Sequence, residues 1–461
     1  MAIVSKFGGT SAKDGITLEN VINNIILANP ERKVIVFSAP GKASQDDIKV
    51  TDLLIRIGET NWNSREYPSD LIRQFRERFL TIADYLGLER SFLSYHFNLL
   101  DAFVKTEMDN RDAYLDSIKP FGEMITAKLV AEFLRKQGKK TGVYLPEEIG
   151  MITDGNFGKS KLLESSYQKI TDKLKPVLER TDEIIIVPGF YGVDSRGRYT
   201  TFSRGGSDLT GAILANTVDA KLYENWTDTD GIRRADPRII DNPDTIEKMT
   251  YREAREFAYS GAEVLHPDTL IPLIAKDIPL NVRNTFNLSN KGTYITTSKI
   301  PNGHVVEGVS HKEGFTVLYV EKTGMEDEIG YLNRLTNVLL NHGLSISQMT
   351  TSIDSVSVAM PANQINGKAE AVIGDIIKNK LADSEGVNMD YDKSMVCVVG
   401  EGMRHHVGVL TKLSGELASH GINIETVYQG PSERSIIFGL DSKDAKIAVK
   451  AIYDLYFGNR R

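Results

Sequence analysis

The chain has 461 residues, 41% of them hydrophobic and 25% charged, with a formal net charge of −7. At roughly 100–200 residues per domain, that length implies about two to four domains of ordinary globular composition. A mildly acidic chain without a basic stripe argues against nucleic acid as the main partner. The one cysteine, Cys397, cannot form an internal disulfide or a cysteine-rich zinc site.

The N-terminus, MAIVSKFGGTS, has no apolar run long enough for a signal peptide or a membrane span, so no membrane partner and a cytoplasmic enzyme are expected. Ala2 to Phe7 is short and partly β-branched, and it runs into Gly8-Gly9-Thr10-Ser11. A helical stretch follows, with Ile16, Val21, Ile25 and Ile26 on one apolar face, and then a buried-strand pattern, Lys33 to Phe37, ending in Ser38-Ala-Pro-Gly-Lys42. Strand, glycine turn, helix, strand is the βαβ pattern of a parallel sheet. Residues 52 to 114 read as helical, punctuated by Tyr67-Pro68 and Gly87, and Glu123 to Lys136 reads as a strong helix stopped by Gly138. Glu183 to Val187 is another buried strand. Phe202-Ser-Arg-Gly-Gly-Ser-Asp208 leads into an alanine-rich helix, and Ala220 to Trp226 reads as a strand ending in Thr227-Asp228. About 290 residues therefore alternate β and α, the pattern of an open α/β sheet whose ligands bind at the carboxyl ends of the strands.

The last third contains an internal repeat at an offset of 78 residues. Gly330, Leu332, Leu335, Leu339, His342, Gly343 and Ile346 recur as Gly408, Leu410, Leu413, Leu417, His420, Gly421 and Ile424. The leucine spacing gives each copy an amphipathic helix, and the following glycine stops it. Strands flank each helix: Phe315 to Val320 and Ser355 to Met360 in the first copy, Met395 to Val399 and Ser435 to Leu440 in the second. Two small α+β modules follow. Valines 396, 398 and 399 around Cys397 make it a buried structural thiol.

Lys6-Phe-Gly-Gly-Thr-Ser11 sits where a strand becomes a helix. Its glycines permit close approach of a ligand and free amides favour an anion, but an ordinary tight βα turn explains the local pattern equally well. Thr153-Asp-Gly-Asn-Phe-Gly-Lys-Ser160 is not a P-loop, because Thr153 stands where that motif needs glycine. No complete G-x-G-x-x-G follows a strand, and Asp228-Thr-Asp230-Gly231 is too short for a calcium loop. In Ser203-Arg-Gly-Gly-Ser-Asp208, Arg204 offers a planar fork suited to a carboxylate or phosphate. Asp208 falls in a first helical turn, where the helix dipole alone is worth roughly 0.3–1 kcal/mol.

KFGGTS at Lys6 to Ser11, Gly122-Glu123, SRGGSD at Ser203 to Asp208, WTDTDGIRRADPR at Trp226 to Arg238 and SGAEVLHP at Ser260 to Pro267 together resemble the aspartate kinases of the amino-acid kinase superfamily. The likeness covers essentially the whole chain in the right order, and the repeat is similar to the paired ACT modules of those enzymes. The resemblance implies an open, mostly parallel sheet sandwiched by helices over 1–298, then ACT-like modules at 299–388 and 389–461. It also implies ATP-dependent phosphorylation of the side-chain carboxylate of L-aspartate, with magnesium arriving on the ATP and no metal site of the protein's own. Carried over, Lys6 would contact the transferring phosphoryl group and Asp208 would organise that catalytic lysine. Gly8, Gly9, Thr227, Asp228, Arg233, Arg238, Glu263 and Val264 would line the nucleotide site. Ser38, Thr51, Glu123 and Arg204 would hold aspartate, Glu123 its ammonium and Arg204 a carboxylate. Two positions depart from the pattern: Arg233 stands where some relatives have tyrosine, and Glu263 where some have lysine.

The chemistry agrees with the resemblance. A carboxylate of reference pKa about 3.9 is already a nucleophile at neutral pH, so no general base is needed. The catalytic motifs contain no histidine, and His266 reads as structural. With Arg461 as its last residue, no appended homoserine dehydrogenase is expected. For regulation, the resemblance implies a homodimer or homotetramer through the ACT modules and a feedback amino acid at the first repeat, near Met325, Asp327, Glu328, Tyr331, Ser345, Ser347 and Ser352. The acidic Gly324 to Gly330 loop suits lysine better than the basic Gly402 to Gly408 loop. Ser347 stands where some lysine-inhibited relatives have aspartate, which keeps threonine as the alternative. Another carboxylate kinase of the superfamily and a non-catalytic amino-acid sensor are the rival readings.

Overall fold

The computed structural model describes residues 2–203, 205–259, 261, 265–299, 303–383 and 386–458. The chain divides into two compact units, one of residues 1–232, 245–254 and 263–299, the other of 233–244, 255–262 and 300–461. Among the described residues no helix is long and apolar enough to cross a membrane.

In the first unit the strands are β1 Ile3–Phe7, β2 Arg32–Phe37, β3 Thr141–Val143, β4 Ile184–Pro188, β5 Tyr191–Val193, β6 Tyr199–Thr201, β7 Leu222–Thr227, β8 Lys248–Thr250, β9 Leu280–Asn284 and β10 Thr293–Thr296. Eight of them form one sheet in the order β3-β4-β2-β1-β7-β9-β10-β8. Every pairing is parallel except β9 with β10. β5 and β6 form a separate antiparallel hairpin. The expected mostly parallel sheet is present. Its central strands are buried throughout, as strands covered on both faces must be.

The helical region breaks where Pro68 and Gly87 predict, into Val50–Ser64, Ser69–Tyr85 and Ser94–Lys105. A further break after Lys105 separates Arg111–Ile118, capped by the Asn110 side chain, which accepts from the Ala113 amide at 2.9 Å. On one face of the sheet, rings at adjacent strand ends stack: Phe7 on Phe37 with centroids 5.0 Å apart, and Phe7 on Trp226 at 6.0 Å. Strand alternation then turns Lys6 and Asn225 to the other face.

In the second unit, β11 Gly308–Glu321, β12 Gln348–Thr351, β13 Ser355–Pro361, β14 Val387–Val399, β15 Thr426–Tyr428 and β16 Ser435–Asp441 form an antiparallel sheet in the order β12-β13-β11-β14-β16-β15. Two strands are longer than the repeat predicts. The start of β11, Gly308 to Lys312, pairs with Met395 to Val399, while Phe315 to Glu321 pairs with β13 and with the first half of β14. Two cores form on this sheet. One gathers Leu318, Val320, Leu335, Leu339, Val356 and Ile376. The other gathers Val309, Val396, Leu413, Leu417, Phe438 and Val449, together with Ala235 and Ile240 from the 233–244 segment. Arg234 of that segment pairs with buried Glu307 at 3.2 Å, and its carbonyl accepts from the Val309 amide at 2.8 Å. Cys397 is buried as expected.

The repeat survives as backbone geometry. The helices Tyr331–Asn341 and Val409–Ser419 both start from a left-handed glycine, Gly330 at φ 79° and Gly408 at φ 85°. The residues just before them, Ile329 and Val407, are 98% and 94% exposed.

Candidate active site

The site is built where β1, β2 and β7 end side by side. Lys6 and Asn225 sit opposite each other in the β1–β7 register. Lys6 Nζ lies 2.5 Å from Asp208 Oδ1 and 3.5 Å from Asn225 Oδ1, and Asn225 Nδ2 donates to the same Asp208 oxygen at 3.0 Å. Asp208 lies in the first turn of the helix Gly206–Thr217, whose start, Gly205, is left-handed at φ 79°. The three side chains therefore form a closed clamp that fixes the Lys6 ammonium. Asn225 directly precedes the Trp226 to Arg238 motif without belonging to it; the register of two strands far apart in sequence reveals its role.

Beside the clamp, two glycine turns meet backbone to backbone. Gly41 N donates to Gly9 O at 2.8 Å, and a β-carbon on Gly9 would lie 2.8 Å from the Ala39 carbonyl oxygen. Gly8 N donates to Trp226 O at 3.1 Å. Ser38 follows β2 directly, its amide donating to Phe7 O at 3.0 Å. Thr51 stands in the first turn of the helix Val50–Ser64, beside Val50, whose amide donates to Pro40 O at 3.0 Å.

Glu123 is the next step outward, in the first turn of Phe121–Lys136. It is 3% exposed; it accepts from the Ala39 amide, while its Oε2 is buried without a hydrogen-bond partner. Desolvation pushes its pKa up to about 8, against the pull of the backbone amides of Ala39 and of Glu123 itself. A buried carboxylate oxygen with nothing to accept from is costly, and a ligand's ammonium group would satisfy it.

Arg204 lies outside the described residues, and so do Glu263 and Val264. The segment leading to Arg204 is firmly held. Asp116, fully buried, accepts from Thr201 N at 2.8 Å, Thr201 Oγ1 at 2.7 Å and Lys119 Nζ at 2.8 Å, and Phe202 N donates to Phe190 O at 2.9 Å. Thr227 and Asp228 close β7, with Thr227 O accepting from the Thr285 amide at 2.8 Å. Arg233 and Arg238 belong to the 233–244 segment of the second unit. There, Arg233 Nη1 donates to Pro243 O at 3.0 Å, and Arg238 forks onto Asp236 at 2.7 and 3.0 Å.

In the first repeat, Met325 is buried and Asp327 exposed. Glu328, expected to await a ligand ammonium, is already paired with both Lys322 and Arg334, and these contacts hold its pKa below the usual carboxylate range. The Tyr331 hydroxyl donates to Leu381 O. Ser345 N donates to Gln364 Oε1 at 2.8 Å, Ser347 N to Ala359 O at 2.9 Å and Ser352 N to Ser355 O at 2.8 Å, so Ser345 and Ser347 lie on the segment entering edge strand β12 and Ser352 on the turn leaving it.

Comparison with known proteins agrees with this geometry. The Amino acid kinase family profile matches residues 1–284, and an ACT domain profile matches 396–456. The chain is 36% identical to aspartokinase 3 of Bacillus subtilis, covering 98% of both chains. Its structure matches aspartate kinase of Clostridium acetobutylicum with a TM-score of 0.83 and 31% identity, covering 98% of this chain and 100% of the other. It also matches Escherichia coli aspartokinase III solved with aspartate and ADP, with a TM-score of 0.81 and 25% identity over 99% and 100% of the two chains. The chain belongs to the amino acid kinase family and, within it, to the aspartokinases.

Proposed function

We propose that this protein transfers the γ-phosphoryl group of ATP to the side-chain carboxylate of L-aspartate, giving 4-phospho-L-aspartate and ADP, as a first step toward lysine, threonine and methionine. The observation that carries the proposal is the Lys6–Asp208–Asn225 clamp, set beside the packed glycine turns and the buried, unsatisfied oxygen of Glu123. In this reading an aspartate carboxylate oxygen attacks the γ-phosphorus while the bridging oxygen leaves with ADP. Lys6 neutralises charge on the transferring group, and Asp208 and Asn225 hold its ammonium in place rather than moving protons. Ser38, Thr51, Glu123 and Arg204 hold aspartate. Gly8, Gly9, Thr227, Asp228, Glu263 and Val264 hold the nucleotide. Among the described residues no group of three or more His, Cys, Asp or Glu could hold a metal ion. Magnesium would arrive with the ATP, bound mainly by phosphate oxygens and water, and would supply further charge neutralisation. A coupled assay offering ATP with aspartate, glutamate or carbamate tests the substrate: turnover with aspartate far above the others is expected, and none with aspartate defeats the proposal.

Arg204→Ala removes the guanidinium assigned to a substrate carboxylate. A charge-assisted hydrogen bond is worth on the order of 1.5–3 kcal/mol, so the aspartate KM rises at least about tenfold while the ATP KM stays near its original value. An ATP KM that moved more than the aspartate KM would transfer Arg204 to the nucleotide site.

The modules 299–388 and 389–461 are, in the same proposal, ACT regulatory modules that join copies of the chain as a dimer or tetramer and sense an amino acid. E. coli aspartokinase III has also been solved with lysine and aspartate, and we assign lysine as the inhibitor, bound at the first module near Asp327, Glu328 and Ser345 to Ser352. Because Lys322 and Arg334 already occupy Glu328, the exposed Asp327 carries most of the attraction for the ligand. Titration calorimetry then shows lysine binding that is weakened more by Asp327→Ala than by Glu328→Ala. Binding of threonine but not lysine reassigns the effector.

A further inference from the structure

We infer that Arg78 is a positioning residue for phosphoryl transfer, fastening the loop on the aspartate side of the site to the turn on the phosphate side. The inference rests on the reading of the site given above.

Arg78 lies on the helix Ser69–Tyr85, well away in sequence from every motif. Its Nη2 donates to Lys13 O at 2.8 Å and to Gly41 O at 2.6 Å, and its Nη1 pairs with Asp47. Lys13 directly follows the short helical turn Gly9–Ala12, and Gly41 is the residue whose amide donates to Gly9 O. Asp47 closes the loop that leads to Thr51, accepting from Ala43 N at 2.7 Å and from Ile48 N at 2.8 Å. Burial alone would raise the Asp47 pKa; these amides and the guanidinium outweigh it and hold it below the ordinary value. One side chain thus grips the chain after the phosphate turn, the turn after β2 and the loop before Thr51.

The contrast with Arg73, on the same helix, shows that this is not a solvated charge. Arg73 is 64% exposed and pairs only with Asp70 and Glu77 on its own helix, whereas Arg78 is 17% exposed and all its partners lie on other segments. Two terminal nitrogens in a rigid plane can span three acceptors; a single lysine ammonium on a flexible stem cannot reproduce that geometry. Misplacement of reacting groups by about 1 Å can cost about 100-fold in rate, so a strut linking both halves of the site acts on chemistry without touching substrate.

The test compares Arg78→Ala, Arg78→Lys and Asp47→Asn with the unmutated protein in the same coupled assay, alongside hydrogen exchange of the 42–49 amides. Arg78→Ala is expected to raise the aspartate KM at least about tenfold and lower kcat, with a smaller rise in the ATP KM, because the phosphate turn is loosened while the Thr227–Asp228 end of β7 is untouched. Added guanidinium ion restores part of the activity of Arg78→Ala but not of Arg78→Lys, and exchange at Ala43 and Ile48 quickens in every variant. Kinetics within about twofold of the unmutated protein overturn the inference, as does an equal rise in both KM values, which marks general loosening. If Arg78→Ala does not fold, Asp47→Asn decides by the same two measurements. If the unmutated protein fails on aspartate, the function proposed above is what has failed, and the exchange still decides the fastening: unchanged protection at Ala43 and Ile48 overturns it.

Discussion

Lys6→Met lowers kcat by at least about 100-fold while leaving the protein folded. The size follows from the geometry. The ammonium is held 2.5 Å from Asp208 and oriented by Asn225 before substrate arrives, so its charge needs no reorganisation during the reaction. Removing one preorganised donor from a transition state costs about 100- to 1,000-fold in kcat. Methionine keeps the length and apolar stem of the side chain and loses only the charge, but it also strips Asp208 of its cation. Thermal melting checks the fold, and steady-state kinetics on the folded variant check the role. A kcat within a few-fold of normal would remove Lys6 from catalysis. Asn225→Ala should follow the same direction with a smaller effect, because the Lys6–Asp208 contact survives it.

The second large effect concerns the proton on Glu123. Its pKa in the unliganded protein is pushed to about 8 by burial, against about 4.3 in an unstructured chain. Near pH 7 the empty site therefore holds a protonated carboxyl. An incoming ammonium group needs the ionised form, so aspartate binding releases close to one proton per site. Calorimetry at pH 7 in buffers of different ionisation enthalpy reads that proton directly. Aspartate affinity then improves by about tenfold per pH unit between pH 6 and 7 and levels off above pH 8. Affinity flat across that range, with no proton release, would show that Glu123 is ionised in the empty site.

The same residue links binding to stability, and the sign is fixed by which state holds the proton. Between the unfolded value and about 8 the folded protein binds a proton that the unfolded chain does not. Stability from this group is therefore complete at low pH and is lost as pH rises through about 8, by on the order of 5 kcal/mol at most. Glu123→Gln removes that loss. It is expected to raise the melting temperature of the unliganded protein at pH 8, with the gap closing toward pH 5, while aspartate binding is largely abolished. The site thus trades stability for recognition at one side chain.

Much of this was legible in the sequence, because the relevant residues sit at element ends. Lys6 and Asp208 each mark a strand or helix terminus beside glycines, Glu123 starts a strong helix, and the repeat announced itself through seven matching positions. What escaped depends on contacts between distant segments. Asn225 matters only because β7 pairs in register with β1. Arg78 looks like one more charge on an amphipathic helix until the fold brings Lys13, Gly41 and Asp47 to it. Glu328 read as a free acid because its partners Lys322 and Arg334 are each six residues away, on either side of a turn. The three-residue strands β3 and β8 carry too little pattern to stand out, and the double pairing of β11 has no local signature at all.

The path of the polypeptide between the two compact units has a practical consequence for anyone wishing to free the enzyme from feedback. The chain passes from one unit to the other five times, and Ala235 and Ile240 are core residues of the second unit although they lie upstream of 299. Deleting everything after 299 would leave these apolar side chains and the Arg234 guanidinium without Val309, Phe438 and Glu307. A deregulated enzyme is therefore better sought by single substitutions within an intact chain than by cutting the chain at 299.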